Sequence, residues 1–166
     1  MADVRVVRVS SPEELEIAMA IRFAVFVDEQ GVDPAVERDV QDDDPRTVHV
    51  LAFAESGEAL GTGRLLAPHT DEFHADHGAM DPANPHVGRL AVTSAARGTG
   101  AGRALMEALH LVALETFAVD GRVRVELSAQ DQAMPFYARL GYVAHGEGYL
   151  DEGIPHHDAY VDLTHP

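Results

Sequence analysis

The sequence predicts a single mixed α/β domain, on three observations. Short β-rich runs alternate with longer stretches of helical periodicity, and glycine, proline or a capping residue marks each change of period. With 166 residues, 46% of them apolar and 24% charged, the chain can hide a sizeable core without a covalent staple. Cysteine is absent, which removes disulfides, thiolate metal sites and any acyl-cysteine intermediate.

Val4 to Val9 alternates as a strand. Ser11-Pro12-Glu13-Glu14 predicts a helix start, with Ser11 as N-cap, Pro12 at the first helical position and Glu14 closing a capping box. That helix runs to about Phe26 and places Leu15, Ala18, Ile21, Arg22 and Val25 along one side. A polar, acidic segment follows from Asp28 to Arg46. Val48 to Ala54 and Ala59 to Leu66 flank the turn Glu55-Ser56-Gly57-Glu58 as a hairpin. His69 to Pro85 reads as a long loop and His86 to Val92 as the next strand. Gly98 opens a long helix with Leu105, Leu109, Val112, Ala113 and Phe117 on its apolar face, closed by Gly121. Val123 to Leu127 is a strand. Ala133, Phe136, Tyr137 and Leu140 form a short amphipathic helix stopped by a left-handed Gly141. Tyr142 to His145 and Ala159 to Leu163 complete the order β-α-β-β-β-α-β-α-β-β.

Twelve basic residues, all arginine, stand against 28 acidic ones, for a formal charge of −16. Such a surface repels nucleic acid and anionic lipid, so neither is an expected partner. No run of about 18 apolar residues occurs and MADVRVVRVS lacks a signal peptide's hydrophobic stretch, so a cytoplasmic location is expected. An anionic small ligand would need a local device to hold it.

Arg97-Gly98-Thr99-Gly100-Ala101-Gly102, between a strand and a helix, supplies one. Alternate glycines allow a tight turn whose N–H groups share a concavity, and the helix N-terminus adds its positive dipole. A P-loop is excluded because the chain has no lysine. A dinucleotide fingerprint fails because Arg103 and Leu105 occupy the required glycine positions.

Arg97, Gly100 and Gly102 match [RQ]-x-x-G-x-[GA] after a strand ending Leu90-Ala91-Val92. Downstream, Val125 to Gln130 precedes Phe136-Tyr137-Ala138-Arg139-Leu140-Gly141-Tyr142. In these motifs the sequence resembles the Gcn5-related N-acetyltransferase (GNAT) superfamily. Arg22 to Val32, Gly88 to Val92, Ala129-Gln130 and Gly153-Ile154-Pro155-His156 resemble its ElaA-like branch, and the resemblance spans roughly residues 4 to 163. It implies a twisted, mostly antiparallel sheet flanked by helices, and transfer of an acetyl or short acyl group from coenzyme A to a small-molecule or peptide amine in an ordered ternary complex. Backbone amides of Arg97, Gly98, Thr99, Gly100, Ala101 and Gly102 would hold the pyrophosphate, with Arg97 and Arg103 adding phosphate contacts and Gln130 among the cofactor contacts. Leu90, Ala91 and Val92 would pair with the pantetheine amides, a backbone N–H near Leu90 polarising the thioester carbonyl. Tyr137 matches the acid that protonates the leaving thiolate.

The strand before the loop carries no carboxylate, unlike many relatives, so the base stays open among Glu29, Glu126 and His86 acting through water. Glu29 and Gln30 are the preferred acceptor-site residues, with His156 lining the same pocket. His74 and His77 with Asp71, Glu72 and Asp76, or His156-His157-Asp158, could be read as metal ligands, but no metal is expected. A non-catalytic acyl-CoA-binding module is the alternative to an enzyme. Monomer and homodimer stay open.

Overall fold

A computed structural model describes residues 3–68 and 81–165. Its strands are β1 (Val4–Arg8), β2 (Val48–Ala54), β3 (Ala59–Leu66), β4 (His86–Val92), β5 (Arg122–Gln130), β6 (Val143–Asp151) and β7 (Ile154–Thr164), in the sheet order β1-β2-β3-β4-β5-β7-β6. Neighbours β1/β2, β2/β3, β5/β7 and β6/β7 run antiparallel, whereas β4 and β5 run parallel. The helices are α1 (Pro12–Arg22), α2 (Pro34–Glu37), α3 (Ala101–Phe117) and α4 (Met134–Arg139). The predicted mixed, mostly antiparallel fold is the observed one. Most of the predicted long loop, residues 69–80, lies outside the described residues. By contacts the chain divides into two compact units, one holding β1–β3 and Arg89–Leu109, the other the remaining described residues.

In the first unit Ser11 caps α1 by accepting from the Glu14 amide at 3.2 Å. The predicted capping box is not closed. Glu14 instead accepts from the amide and hydroxyl of Ser10, at 2.8 and 3.0 Å. The α-helix also ends earlier than predicted, at Arg22, and Phe23–Glu29 widens into a π-helix. Phe23, Val25, Phe26 and Val27 crowd this turn with aromatic and β-branched groups, which weakens the α-helical alternative. Ala18, Ile21 and Val25 still share one buried cluster with Leu51 and Ala91.

The acidic segment is not merely a polar surface. Glu37 and Asp42 are buried against the Arg22 guanidinium, which donates to them at 2.9 and 2.7 Å. Arg64 bridges Asp42 and Asp39, both at 2.8 Å, and Arg89 reaches Glu37 at 2.9 Å and Asp39 at 3.2 Å. Three guanidiniums therefore neutralise three carboxylates. Burial opposes ionisation of Asp42, but the Arg22 hydrogen bond and the nearby Arg64 charge overcome it and hold the carboxyl far below its usual range.

Two glycines of β3 set how closely β4 and α3 approach. A Cβ on Gly61 would lie 2.8 Å from the Ala91 carbonyl oxygen and 3.0 Å from Leu105, and one on Gly63 would lie 3.1 Å from Leu109. Gly61→Ala is therefore expected to cost about 1–3 kcal/mol, because backbone must move to admit the methyl. Denaturant unfolding of the variant checks this, and an unchanged midpoint would contradict it.

In the second unit Val125, Leu127, Ala159 and Val161 are buried in register, Val125 opposite Val161 and Leu127 opposite Ala159. The alternate positions are polar: Glu126 opposite Tyr160, Ser128 opposite Asp158, Gln130 opposite His156. Strands β6 and β7 turn through Glu152 and Gly153, with φ of 50° and 75°, between the paired Asp151 and Ile154. Two consecutive left-handed residues suit a two-residue hairpin turn. A register shift between His145 and Tyr149 sets His145 opposite Asp158 and Tyr149 opposite His156. Ile154-Pro155-His156 thus starts a strand that the sequence predicted only from Ala159.

Candidate active site

The glycine-rich loop forms the head of α3. Gly98 and Gly100 have φ of 84° and 90°, a region that favours glycine, and a Cβ on either would meet nothing within 4 Å. Their surroundings are open. The Ala104 amide donates to the Gly100 carbonyl at 3.0 Å, so the helix ladder begins there. Amides of the first helical turn, from Ala101, Gly102 and Arg103, have no i−4 carbonyl to use. One predicted donor is engaged within the loop. The Thr99 amide turns onto the Ala96 carbonyl at 3.2 Å, and the Thr99 hydroxyl donates to the same oxygen.

The predicted phosphate arginines are exposed and each engages a carboxylate. Arg103 donates to Glu107 one helical turn on, at 2.8 Å. Arg97 donates to both oxygens of Glu29, at 3.0 and 2.8 Å. The structure therefore joins a predicted phosphate ligand to a predicted acceptor-site residue. Exposed pairs of this kind contribute about 0–1 kcal/mol, so an incoming phosphate could displace Glu29 at little cost. Glu29 ends the π-helix, and Gln30 caps it.

Strand β4 is bent at Arg89, whose φ of 50° is unusual for a non-glycine residue within a strand. Its ion pairs with the buried Glu37 and the half-exposed Asp39 hold that conformation. The parallel ladder with β5 comprises His86↔Glu126 and Val87↔Leu127, so Leu90, Ala91 and Val92 lie beyond it. Sequence reasoning missed this bend, since nothing in Gly88-Arg89-Leu90 signals a left-handed arginine.

In the second unit Tyr137 lies on α4, packed edge-on against Phe136 and Tyr142 with centroids 5.1 and 5.8 Å apart. Tyr142 exchanges a 2.7 Å hydrogen bond with His110. Burial pushes the Tyr137 hydroxyl well above the usual phenol range, so it keeps its proton at neutral pH. Gly141, at φ 95°, ends the helix as predicted, and the Tyr142 amide returns to the Tyr137 carbonyl at 3.1 Å.

Gln130 and His156 are paired in register, and Gln130 accepts from Gln132 at 2.8 Å. His156 is buried, its Nδ1 lies 2.6 Å from the Ile154 carbonyl, and its ring stacks on Tyr149 with centroids 6.0 Å apart. Glu126 is buried and accepts from the Asp81 amide at 2.8 Å and the Asn84 side chain at 3.1 Å, so it pins that segment to β5. His86 lies 3.8 Å from it and His145 lies 3.6 Å from it. Neighbouring His157 is 2.7 Å from Asp131, away from His156. Among the described residues no group of three or more His, Asp or Glu is arranged to hold a metal ion. The His74 and His77 group, with Asp71, Glu72 and Asp76, lies outside the described residues.

The profile described as an acetyltransferase (GNAT) domain matches residues 10–162. The chain belongs to the GNAT acetyltransferase family. Among solved structures, an acyl-CoA N-acyltransferase from Pseudomonas aeruginosa is 33% identical, with 97% of this chain and 99% of that one covered at a TM-score of 0.72. Escherichia coli ElaA is 25% identical, covers 97% of this chain and 99% of its own, and has a TM-score of 0.75. A Bacillus subtilis protein named uncharacterized N-acetyltransferase YjcF is 31% identical over 145 residues, 87% of this chain and 89% of that protein. Among the described residues no helix is long and apolar enough to cross a membrane.

Proposed function

We propose that the chain moves an acetyl or short acyl group from coenzyme A to a primary amine, by direct attack within a ternary complex. The observation that carries this reading is the open loop at the head of α3, whose left-handed Gly98 and Gly100 lead into the first helical turn, where amides lack an i−4 partner. On a chain of charge −16 that loop offers a diphosphate a site built from main-chain donors. Amides of Arg97, Gly98, Gly100, Ala101 and Gly102 hold the diphosphate, with Arg97 and Arg103 reaching phosphate oxygens after leaving Glu29 and Glu107. Leu90, Ala91 and Val92, beyond the β4/β5 ladder, pair with the pantetheine amides. Past the bend at Arg89, the Leu90 amide polarises the acyl carbonyl. Gln130 adds a polar contact to the donor. Acyl-CoA, when bound, supplies the activated thioester.

Glu29, released from Arg97, and Gln30 receive the amine, and His156 is a further acceptor-binding residue. Tyr137 gives its proton to the leaving sulfur. The sequence departs from many relatives in lacking a carboxylate on β4, and Glu126 is committed to Asp81 and Asn84. These observations direct the search for the base elsewhere.

Tyr137→Phe keeps the ring packing and removes the acid. It is expected to lower kcat about 100-fold while acyl-CoA affinity stays close to that of the wild type. Because the phenol is held above its usual range, wild-type kcat should show no loss attributable to Tyr137 up to about pH 10. Thiol release measured against acylated amine across an amine panel tests the reaction itself. Equal yields of thiol and amide support it, while coenzyme A binding with no thiol release makes the chain a non-catalytic module.

A further inference from the structure

Ser128 on β5, Tyr149 on β6 and Asp158 on β7 form an unbroken hydrogen-bonded chain within the second unit. The Tyr149 hydroxyl donates to Asp158 Oδ1 at 2.6 Å, and the Ser128 hydroxyl meets the Tyr149 hydroxyl. A phenol has one proton. Since Tyr149 gives its proton to Asp158, Ser128 is the donor to Tyr149. The direction of the chain is thereby fixed, and Ser128 Oγ keeps lone pairs for accepting a further hydrogen. Exposure follows the same direction: Ser128 and Tyr149 are part-exposed, whereas Asp158 is 2% exposed.

The surroundings keep this chain in place. Stacking by His156 orients the Tyr149 ring, and His156 is itself tied to the Ile154 carbonyl. The β6 register shift brings Tyr149 to the same stretch of β7 as His145. A Cβ on Gly148 would lie 2.8 Å from the His157 ring, so that bulge needs glycine or a displaced histidine. Among the described residues, the titratable groups around Tyr149 and Asp158 include His145 and Asp151 from β6, Glu126 from β5, and His156 and Tyr160 along β7. Burial and the Asp158 hydrogen bond both push the Tyr149 hydroxyl above the usual phenol range, so it serves as a proton carrier and is not left as a phenolate.

We infer that Ser128, Tyr149 and Asp158 are a proton relay that takes the acceptor amine's proton, with Ser128 as the contacting group and Asp158 as the terminal carboxylate. This rests on the acyltransferase reading above and supplies the base that reading lacks. As the ammonium of the acceptor becomes a nucleophilic amine, its proton passes to Ser128 Oγ. The Ser128 proton passes to Tyr149, and the Tyr149 proton to Asp158, which becomes a carboxylic acid. After product release the reverse sequence returns one proton to solvent. The proton lost by the amine nitrogen as it acquires the acyl group, and the proton given by Tyr137 to sulfur, balance through solvent.

The test measures Ser128→Ala, Tyr149→Phe and Asp158→Asn for acyl transfer from acetyl-CoA to an alkyl primary amine, over pH and over amines of decreasing pKa. Calorimetric binding of acetyl-CoA by each variant reports an intact fold. The relay predicts a kcat loss of about 100-fold near neutral pH for Tyr149→Phe and Asp158→Asn. That loss shrinks as pH approaches the amine's own pKa, about 10.4 for an alkyl amine, and shrinks again for amines already neutral at the assay pH. A loss constant across pH and amine pKa makes the three residues structural and overturns the relay alone. A wild-type protein that binds acetyl-CoA but acylates no amine overturns the relay together with the transferase reading. Should Asp158→Asn unfold, Tyr149→Phe, which keeps the ring on His156, carries the same pH test.

Discussion

Arg22→Met is expected to lower the unfolding free energy by about 3–5 kcal/mol, the cost of leaving buried carboxylates without their partner. Arg22 is 1% exposed and spends its donors on Glu37 Oε2 at 2.9 Å, the Glu37 carbonyl at 2.7 Å, and the Asp42 oxygens at 2.7 and 3.1 Å. Methionine fills the volume and supplies none of these. Arg64 and Arg89 remain, but three carboxylates then face two guanidiniums. The damage extends to β4, because Glu37 also anchors Arg89 in its left-handed conformation.

Acid dependence gives this prediction a second edge. Asp42 and Asp39 both titrate below their usual range in the folded protein, Asp39 because the Arg64 hydrogen bond and charge outweigh burial. A depressed carboxylate contributes stability that is present above its unfolded value, about 3.9, and is lost as pH falls through the lower folded value. His49, also buried and held below its usual range by desolvation, acts in the same direction across a window below about 6.5. Wild-type stability should therefore fall with acid, and the Arg22→Met curve should fall less steeply below about pH 4. Denaturant unfolding at several pH values checks both. A loss under about 1 kcal/mol would mean the cluster is worth no more than an exposed pair.

Gly100→Asp is expected to weaken acetyl-CoA binding about 1000-fold, roughly 4 kcal/mol. Two effects combine. A side chain at φ 90° strains the loop, and the carboxylate enters the open space in front of amides that otherwise face phosphate. Gly100→Ala carries the strain without the charge, so a loss of about tenfold is expected there. Calorimetry on the pair separates geometry from electrostatics. Equal losses would show that the charge is irrelevant and that the diphosphate lies elsewhere.

The elements that the sequence made legible are those with punctuation of their own. Ser11 and Pro12 mark the start of α1, Gly57 the first hairpin, the glycine loop the start of α3, and Gly141 the end of α4. The loop's place was readable because glycine at alternate positions has few uses other than a turn with convergent amides. Less legible were features decided by tertiary contact. Glu37 and Asp42 sit in an acidic run that resembles a solvated surface, and only their arginine partners, dispersed from Arg22 to Arg89, explain their burial. The Arg89 bend follows from ion pairing, not from local propensity. Ser128, Tyr149 and Asp158 come from three strands, and no spacing along the chain could have joined them before the β6/β7 register was known.

Amide chemical shifts offer the most direct measurement of how the donor is held. In a ¹⁵N-labelled sample titrated with coenzyme A, the resonances of Gly98, Gly100, Ala101 and Gly102 should move and saturate together, and the Thr99 amide, already bonded to Ala96, should move less. Saturable binding that leaves those four resonances unmoved would contradict a main-chain diphosphate site at the head of α3, and the proposed transfer mechanism would lose its foundation.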